Sequence, residues 1–289
     1  MNETNLSHLP HDCAIQLQAV YDTLKSAERK AANFILSHPE NIFGLSIVDF
    51  ADHAGCSEAT VVRLSKKLGY EGYPELKAAF RLVTIDEPGV EYENITDGDS
   101  ATEVLRKVVE ASVIALQDTA KVMDEDQYIR ALDSMVAARR IMFCGVGDAG
   151  TVAAEAYQRW VRMGQECYNA SDHDLQLILA SKLDSGDVLF AISHSGRTRT
   201  VLNVAHTAQQ QGAIVIALTN YPISPLAKHA DIILQTAVFS RLANGEVMSK
   251  RIAELCVLES LSINFLIRKG ESHLRSLGQS NEVVSINKV

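Results

Sequence analysis

One short loop in the second half of the chain concentrates hydrogen-bond donors that suit an anion. It reads Ser193-His194-Ser195-Gly196-Arg197-Thr198 and holds three hydroxyls in six residues. The loop follows an apolar run that predicts a strand and precedes a predicted helix, whose first N–H groups have no partners inside the helix. Hydroxyls and N–H groups at a helix N-terminus form a cradle for phosphate. The pattern therefore favours phosphate binding over a merely polar loop with a serine cap.

A glycine-rich loop follows an earlier strand-like run. Gly145-Val146-Gly147-Asp148-Ala149-Gly150 spells G-x-G-x-x-G, which is formally a dinucleotide fingerprint, and Asp172 is an acidic residue downstream. However, Asp172 lies 27 residues after Gly145, which is farther than usual, and Asp148 would lie close to any pyrophosphate. We therefore expect no cofactor, and a regulator that senses NADH is only the second alternative.

Nucleophilic and metal chemistry find little support. The Ser193 loop does not match G-x-S-x-G, and adjacent Ser and His side chains point to different sides. The nine histidines show no defensible metal-ligand spacing with Cys or Asp, so no metal is expected. The five cysteines include no CxxC pair and predict unpaired thiols in a reducing compartment. We expect no catalytic residues.

Residues 47–66 have the spacing of a helix-turn-helix. Ala51 is a small residue where two helices would cross, and Gly55 stands at the turn, which needs a positive φ. The second helix needs a cap and an apolar side, which are present as Ser57, Val61 and Leu64. An ordinary helical hairpin shares some of these features. The four positions in register, which are Ala51, Gly55, Val61 and Leu64, favour the DNA-binding motif.

The other face of that second helix carries the residues expected to contact DNA. Arg63 suits a guanine edge, whereas Lys66 and Lys67 suit phosphates. The complete predicted set is Ser57, Glu58, Thr60, Arg63, Lys66 and Lys67. The protein has a net charge of −9, which at first argues against nucleic acid. Residues 57–81 nevertheless hold five basic and three acidic side chains, so this segment is locally basic.

The elements that must position these residues differ between the two halves of the chain. Short helical segments fill residues 1–85, which predicts an all-α helix-turn-helix domain. Residues 86–103 hold seven carboxylates and no lysine or arginine, which indicates a linker. Residues 104–289 begin with a helix and then alternate apolar strands with helices, which predicts an α/β doubly wound, parallel five-stranded sheet.

The predicted sheet brings the two loops together. In the flavodoxin-like strand order 2-1-3-4-5, the strands before Gly145 and Ser193 are neighbours at the topological switch point. Ligands of such folds bind in the crevice at the carboxyl ends of these strands. The glycine-rich loop and the hydroxyl-rich loop are therefore expected to face each other across one crevice.

These motifs resemble those of RpiR-type bacterial transcriptional regulators, in which a helix-turn-helix domain is joined to a sugar isomerase (SIS) domain. The resemblance extends from about Tyr21 to Arg268. Its most specific parts are Ser57-Glu58-Ala59-Thr60-Val61-Val62-Arg63-Leu64, the run Lys67-Leu68-Gly69-Tyr70-Glu71-Gly72-Tyr73-Pro74-Glu75-Leu76, and the Ser193–Thr198 loop.

The resemblance implies that Ser193, Ser195 and Thr198 bind the phosphate of a sugar-phosphate effector. It also implies that Ser249 and Arg251, at the start of the last helix, reach into the crevice. Ala149 departs from the pattern, because SIS domains commonly carry a serine there. The complete set expected at the effector is Gly145, Gly147, Asp148, Ala149, Asp172, His173, Ser193, His194, Ser195, Gly196, Arg197, Thr198, Ser249 and Arg251.

The sequence thus predicts a regulator, specifically a repressor, of sugar-catabolism genes, controlled by a phosphorylated sugar or sugar-like effector. It is expected to bind a palindromic double-stranded operator as a homodimer or homotetramer. The first alternative is an aldose–ketose phosphate isomerase with Glu246 or Glu254 as base. No signal peptide and no apolar run of membrane-spanning length is present, which predicts a cytoplasmic protein with no membrane partner.

Overall fold

The computed structural model describes residues 20–42, 44–80, 98–222, 224–238 and 249–287, together with positions 9, 13, 16, 17 and 95. The chain divides into two compact units. The described residues up to Ala111 belong to the first unit, and those from Ser112 onward belong to the second. Most of the predicted linker at residues 86–103 lies outside the described residues. None of the helices in the described part of the chain is both long and apolar enough to span a membrane.

The first unit consists of short helices around an apolar core. Among its described residues they are a short 3₁₀ helix (Tyr21–Thr23), α1 (Ser26–Ser37), α2 (Pro39–Ile42), α3 (Ile47–Ala54), α4 (Glu58–Lys67) and α5 (Tyr73–Ala79). Phe50, Leu64 and Phe80 are fully buried in this core. A capping box between Ser46 and Asp49 begins α3. The first part of helix α6 (Ala101–Val122) also belongs to this unit.

The turn between α3 and α4 has the predicted helix-turn-helix form. Gly55 ends α3 with a φ of 63°, a left-handed conformation that glycine adopts without strain. Ser57 caps α4 by accepting a hydrogen bond from the Thr60 N–H at 3.3 Å. The helical N-terminal fold class predicted from the sequence is therefore confirmed.

The second unit is a parallel sheet covered by helices on both faces. Its strands are β1 (Arg140–Cys144), β2 (Glu166–Tyr168), β3 (Asp187–Ile192), β4 (Ile214–Thr219) and β5 (Ile232–Gln235). The sheet order is β2-β1-β3-β4-β5, as predicted. In the central register Met142 pairs with Leu189, and Leu189 with Val215. Every residue of β3 is buried, because helices pack on both sides of it.

The helices of this unit follow the predicted alternation. They are α7 (Glu125–Ala137), α8 (Asp148–Arg162), α9 (His173–Ala180), α10 (Arg199–Gln210), a short 3₁₀ helix (Leu226–His229), α11 (Lys250–Lys269) and α12 (Glu271–Ser285). The helix that was expected to be the last, with Ser249 and Arg251 at its start, corresponds to α11. Gly270 ends it, and α12, which was not predicted, follows.

Candidate functional site

The loops after β1 and β3 open onto one crevice at the carboxyl ends of these neighbouring strands. The crevice encloses a cavity of about 210 Å³. It is lined by Val146, Asp148, Ala149, Ile192, Ser193, His194, Ser195, Thr198, Lys250 and Glu254. The structure therefore brings residues of both predicted loops together with the first turns of α11. Among the described residues no cluster of His, Cys, Asp or Glu could hold a metal ion.

The hydroxyl-rich loop folds into a tight turn before α10. The Ser193 hydroxyl donates to the Thr198 hydroxyl at 3.3 Å, and the Arg197 N–H donates to the Ser195 hydroxyl at 3.3 Å. Thr198 is the N-cap of α10 but makes no side-chain capping bond. The first N–H groups of α10 are consequently open to an anion, whose charge the helix dipole favours.

Gly196 is required at the centre of that turn. It has a φ of 59° and donates its N–H to the Ser193 carbonyl at 3.0 Å. A Cβ at this position would lie 2.1 Å from the Ser224 Oγ, so any side chain would force the two segments apart. Gly196 itself is buried and Arg197 is exposed, and neither lines the cavity.

A buried glutamine fixes the glycine-rich loop. The Gln176 side-chain amide donates to the Gly145 carbonyl at 3.1 Å and to the Ala170 carbonyl at 2.7 Å. The Cys144 thiol donates to the amide oxygen of Gln176 at 3.1 Å. Gly147 is the N-cap of α8, so Asp148 is placed in the first turn of that helix. Gln176 was not identified from the sequence, because a single buried amide carries no pattern.

The predicted residues Asp172 and His173 lie at the start of α9 and do not line the cavity. The Asp172 carboxylate caps α9 by accepting from the Leu175 N–H at 2.8 Å. His173 is exposed. A carboxylate engaged as a helix cap is poorly placed to bind a ribose, which is the role a dinucleotide fingerprint would give it.

Charged residues of α11 approach the glycine-rich loop. The Asp148 carboxylate pairs with the Lys250 ammonium at 2.8 Å and with the Arg251 guanidinium at 3.5 Å. The hydrogen bond from Lys250 lowers the pKa of Asp148. Arg251 does not line the cavity, and the Ser249 hydroxyl lies 3.0 Å from that of Ser112. Lys250, which does line the cavity, was missed by sequence reasoning.

Glu254 lies one turn beyond Lys250 and contributes a buried carboxyl group to the cavity. Its relative exposure is 1%, and neither carboxyl oxygen has a hydrogen-bond partner among the described residues. Burial raises its pKa to about 7, a shift that the nearby Lys250 opposes. The i, i+4 spacing of Lys250 and Glu254 could have shown that they share one helix face.

Helix α4 presents most of the residues predicted to contact DNA. Ser57, Glu58, Arg63, Lys66 and Lys67 are exposed. The prediction that Thr60 lies on the exposed face is wrong, because Thr60 is 2% exposed. Its hydroxyl lies 2.9 Å from the Ser57 hydroxyl and accepts from Arg63 Nη2 at 3.1 Å. The capping turn therefore covers Thr60, which orients Arg63 from beneath.

Comparison with known proteins identifies both units. The model of the helix-turn-helix domain of the rpiR family matches residues 12–82, and that of the SIS domain matches residues 134–261. The transcriptional regulator HexR of Pseudomonas aeruginosa is 32% identical over 268 residues, which are 92% of this chain and 94% of HexR. The chain belongs to the RpiR family of helix-turn-helix transcriptional regulators.

Two solved structures extend this likeness. The Vibrio vulnificus NanR protein, complexed with ManNAc-6P, has a TM-score of 0.61 and 26% identity, covering 93% of this chain and 97% of NanR. The sugar isomerase domain of an RpiR transcription factor from Sphaerobacter thermophilus has a TM-score of 0.57 at 19% identity, covering 62% of this chain and 98% of that one. The latter shows a shared fold alone. The α/β fold class predicted from the sequence is thus confirmed for this RpiR-family regulator.

Proposed function

We propose that this RpiR-family protein represses sugar-catabolism genes and is controlled by a phosphorylated sugar bound in the crevice of its SIS domain. The observation that carries the proposal is the cavity that Ser193, Ser195 and Thr198 share with the buried carboxyl of Glu254. The solved complex of NanR with ManNAc-6P supports a phosphorylated sugar as the ligand class. A cytoplasmic location, where sugar phosphates and DNA are both present, belongs to the same proposal.

Within the cavity the two ends of such a ligand have different partners. The hydroxyl-rich loop and the N-terminus of α10 suit the phosphate, which needs several donors. Glu254 suits the sugar, because a buried carboxyl without partners gains stability from hydroxyl groups that donate to it. Lys250 adds a positive charge to the cavity, although Asp148 already neutralises part of it. Because Ala149 has no hydroxyl, the glycine-rich loop offers the phosphate only backbone groups, and the negative charge of Asp148 opposes the anion.

DNA binding is assigned to the exposed face of α4. Arg63 suits a base edge, and Lys66 and Lys67 suit phosphates of the DNA backbone. A homodimer or homotetramer would present paired helices to the half-sites of a palindromic operator. The effector can shift operator affinity only if it binds two arrangements of the protein with different affinities.

An aldose–ketose isomerase remains the alternative because of one observation. A pKa near 7 is what a general base at neutral pH requires, and Glu254 lines the cavity in which the sugar is expected. Glu246, the other candidate base, lies outside the described residues. The helix-turn-helix unit would have no part in isomerisation, so regulation is the better-supported function.

The test begins with a thermal-shift screen of hexose and pentose phosphates against the same sugars without phosphate. A ligand at 100 times its Kd should add about 2.7 kcal/mol to stability. Ser195→Ala should abolish this shift, whereas Ser285→Ala, an exposed serine on α12, should leave it unchanged.

The active compound is then added to DNA-binding assays with promoter fragments from the neighbourhood of the gene. We expect sequence-specific binding that the compound weakens. Stabilisation by no sugar phosphate, together with unchanged DNA binding, would refute the proposal. Conversion of the sugar phosphate by the purified protein, detected by chromatography, would establish the isomerase instead.

A further inference from the structure

A buried acidic residue of α1 contacts the DNA-reading helix. The Glu28 side chain is 3% exposed, and its Oε2 accepts a hydrogen bond from Lys67 Nζ at 2.8 Å. The same oxygen accepts the Lys25 N–H at 2.9 Å, which fixes the carboxylate at the start of α1. Its Oε1 lies 3.9 Å from Arg63 Nε. The hydrogen bond from Lys67 contributes most to the lowered pKa of Glu28, so this group is ionised at neutral pH.

These contacts form one connected network beneath the exposed face of α4. Glu28 pairs with Arg63 and Lys67, Arg63 donates to Thr60, and the Thr60 hydroxyl lies 2.9 Å from that of Ser57. The outer parts of both cations remain accessible, because their side chains are 59% and 38% exposed. Both can therefore contact DNA while Glu28 limits their conformations.

We propose that Glu28 is a positioning residue that sets the DNA specificity of this regulator by orienting Arg63 and neutralising Lys67. The inference rests on the proposed function, in which α4 reads the operator. Glu28 lies on α1, outside the two helices of the helix-turn-helix, and its buried side chain does not itself contact the bases. Glu28 lies 39 residues before Lys67 in the chain.

Two physical effects give Glu28 this role. Long cationic side chains lose conformational freedom on binding, and prior ordering reduces that cost at a site whose geometry fits. Partial neutralisation of Lys67 also weakens its attraction to any phosphate, which lowers affinity for random DNA. Both effects increase the ratio of operator affinity to random-DNA affinity.

The test compares Glu28→Gln with Asp52→Asn, which removes one negative charge from an exposed position on α3. Each variant is titrated with an operator fragment recovered by selection and with a random-sequence duplex, between about 50 and 200 mM salt. The salt slope is the change of log affinity with log salt concentration. For Glu28→Gln this slope on random DNA should steepen by about 0.9, because Lys67 loses its carboxylate partner and can neutralise one more phosphate. Its specificity ratio should fall about two- to tenfold, whereas Asp52→Asn should leave both quantities near wild type.

Glu28→Asp separates orientation from charge. The shorter side chain keeps its charge but cannot reach both cations, so specificity should fall while the salt slope stays close to wild type. A second comparison uses only variants of α4, so it does not require the Glu28 variants to fold. Lys66 has no ion-pair partner among the described residues, so Lys66→Gln should reduce the steepness of the salt slope by about 0.9. Lys67→Gln should reduce it by much less, because Glu28 already neutralises Lys67.

Equal slopes for Lys66→Gln and Lys67→Gln, or equal ratios for Glu28→Gln and Asp52→Asn, would overturn the inference. Circular dichroism and hydrodynamic size establish that each variant is folded before titration. Failure of the wild-type protein to prefer any fragment over random DNA would instead refute the proposed function. The two failures are therefore distinguishable.

Discussion

Replacement of Glu254 by glutamine should stabilise the SIS unit while removing its affinity for the effector. The carboxyl group is buried and lacks hydrogen-bond partners among the described residues, so its ionisation is unfavourable in the folded protein. Glutamine has nearly the same shape and does not ionise. The gain should therefore depend on pH, and that dependence distinguishes the ionisation of Glu254 from any change in packing.

The magnitude follows from the pKa of Glu254, which burial raises from 4.5 to about 7. Because the raised value belongs to the folded state, the unfolded chain releases its proton first, and stability falls as pH rises from about 4.5 to 7. A shift of one pKa unit corresponds to about 1.4 kcal/mol, so the complete loss is about 3 kcal/mol. Glu254→Gln should equal wild type near pH 4.5 and exceed it by about 3 kcal/mol at pH 8.

Denaturant unfolding followed by tryptophan fluorescence measures this difference in the relevant unit. Trp160 is the single tryptophan of the chain and is buried in the core of the SIS unit, on α8. Its emission therefore reports unfolding of that unit alone. Wild type, Glu254→Gln and the control Glu282→Gln, an exposed acid on α12, are compared from pH 4.5 to 8.

A stability difference that stays constant across this pH range would refute the reasoning, because an ionisation effect cannot be constant through its own titration. Lower stability of Glu254→Gln at pH 8 would also refute it, since that result requires a favourable partner for the carboxylate. Saturation with the effector should reduce the advantage of the variant, because sugar hydroxyls then stabilise the wild-type carboxyl.

Three further predictions concern the same unit. Gly196→Ala should cost about 3 kcal/mol or more and abolish phosphate binding, because its Cβ would lie 2.1 Å from the Ser224 Oγ at a φ of 59°. Asp187→Asn should lower the free energy of unfolding by about 2 kcal/mol at pH 7. Burial alone would raise the pKa of Asp187, but hydrogen bonds from Arg140 and Arg139 outweigh that effect and lower the pKa to about 2. Wild type should lose this stability as pH falls from about 4 to 2. Asp148→Asn should tighten phosphate binding about fivefold in calorimetry, because it removes a negative charge beside the anion.

Matched controls accompany these variants. Gly278→Ala enters open space on α12 and should be neutral or slightly stabilising, so a comparable loss there would remove the steric explanation for Gly196. Asp126→Asn changes an exposed acid and should stay within about 0.5 kcal/mol of wild type. An unchanged acid-unfolding profile of Asp187→Asn would contradict the linkage argument. Weaker phosphate binding by Asp148→Asn would show that this carboxylate assists the anion.

The sheet could be predicted because its strands are continuous apolar runs, each followed by a polar loop. All five residues of the run Val188–Ile192 are buried, so their composition is dictated by position. Helix α12 could not be predicted in this way, because none of its residues is buried and its sequence therefore lacks a strong apolar period. The break at Gly270, where φ is 70°, separates it from α11.

The candidate sites were only partly predictable for a related reason. Periodicity placed Thr60 off the apolar stripe of α4, but the capping turn at Ser57 folds over it and buries it. The hydroxyl-rich loop was recognisable because its donors are adjacent in sequence. Lys250 was not recognised, and Glu254 was named only as the base of the alternative isomerase, because their place in the cavity depends on how α11 packs against α8.

The two proposed anion sites share a feature that no local pattern reveals. Lys67 pairs with Glu28 at a separation of 39 residues, and Lys250 pairs with Asp148 on a different helix. In each case an internal carboxylate already pairs with a cation that, in the proposed function, a phosphate contacts. A phosphate must therefore compete with that carboxylate, and its charge alone gains little. In the proposed function, binding then depends on the additional contacts that only a matching ligand makes. These are base edges beside Arg63 and sugar hydroxyls beside Glu254. The internal carboxylates thus favour selectivity over affinity at both sites. For this reason Glu28→Gln should strengthen binding of random DNA, and Asp148→Asn should strengthen binding of phosphate.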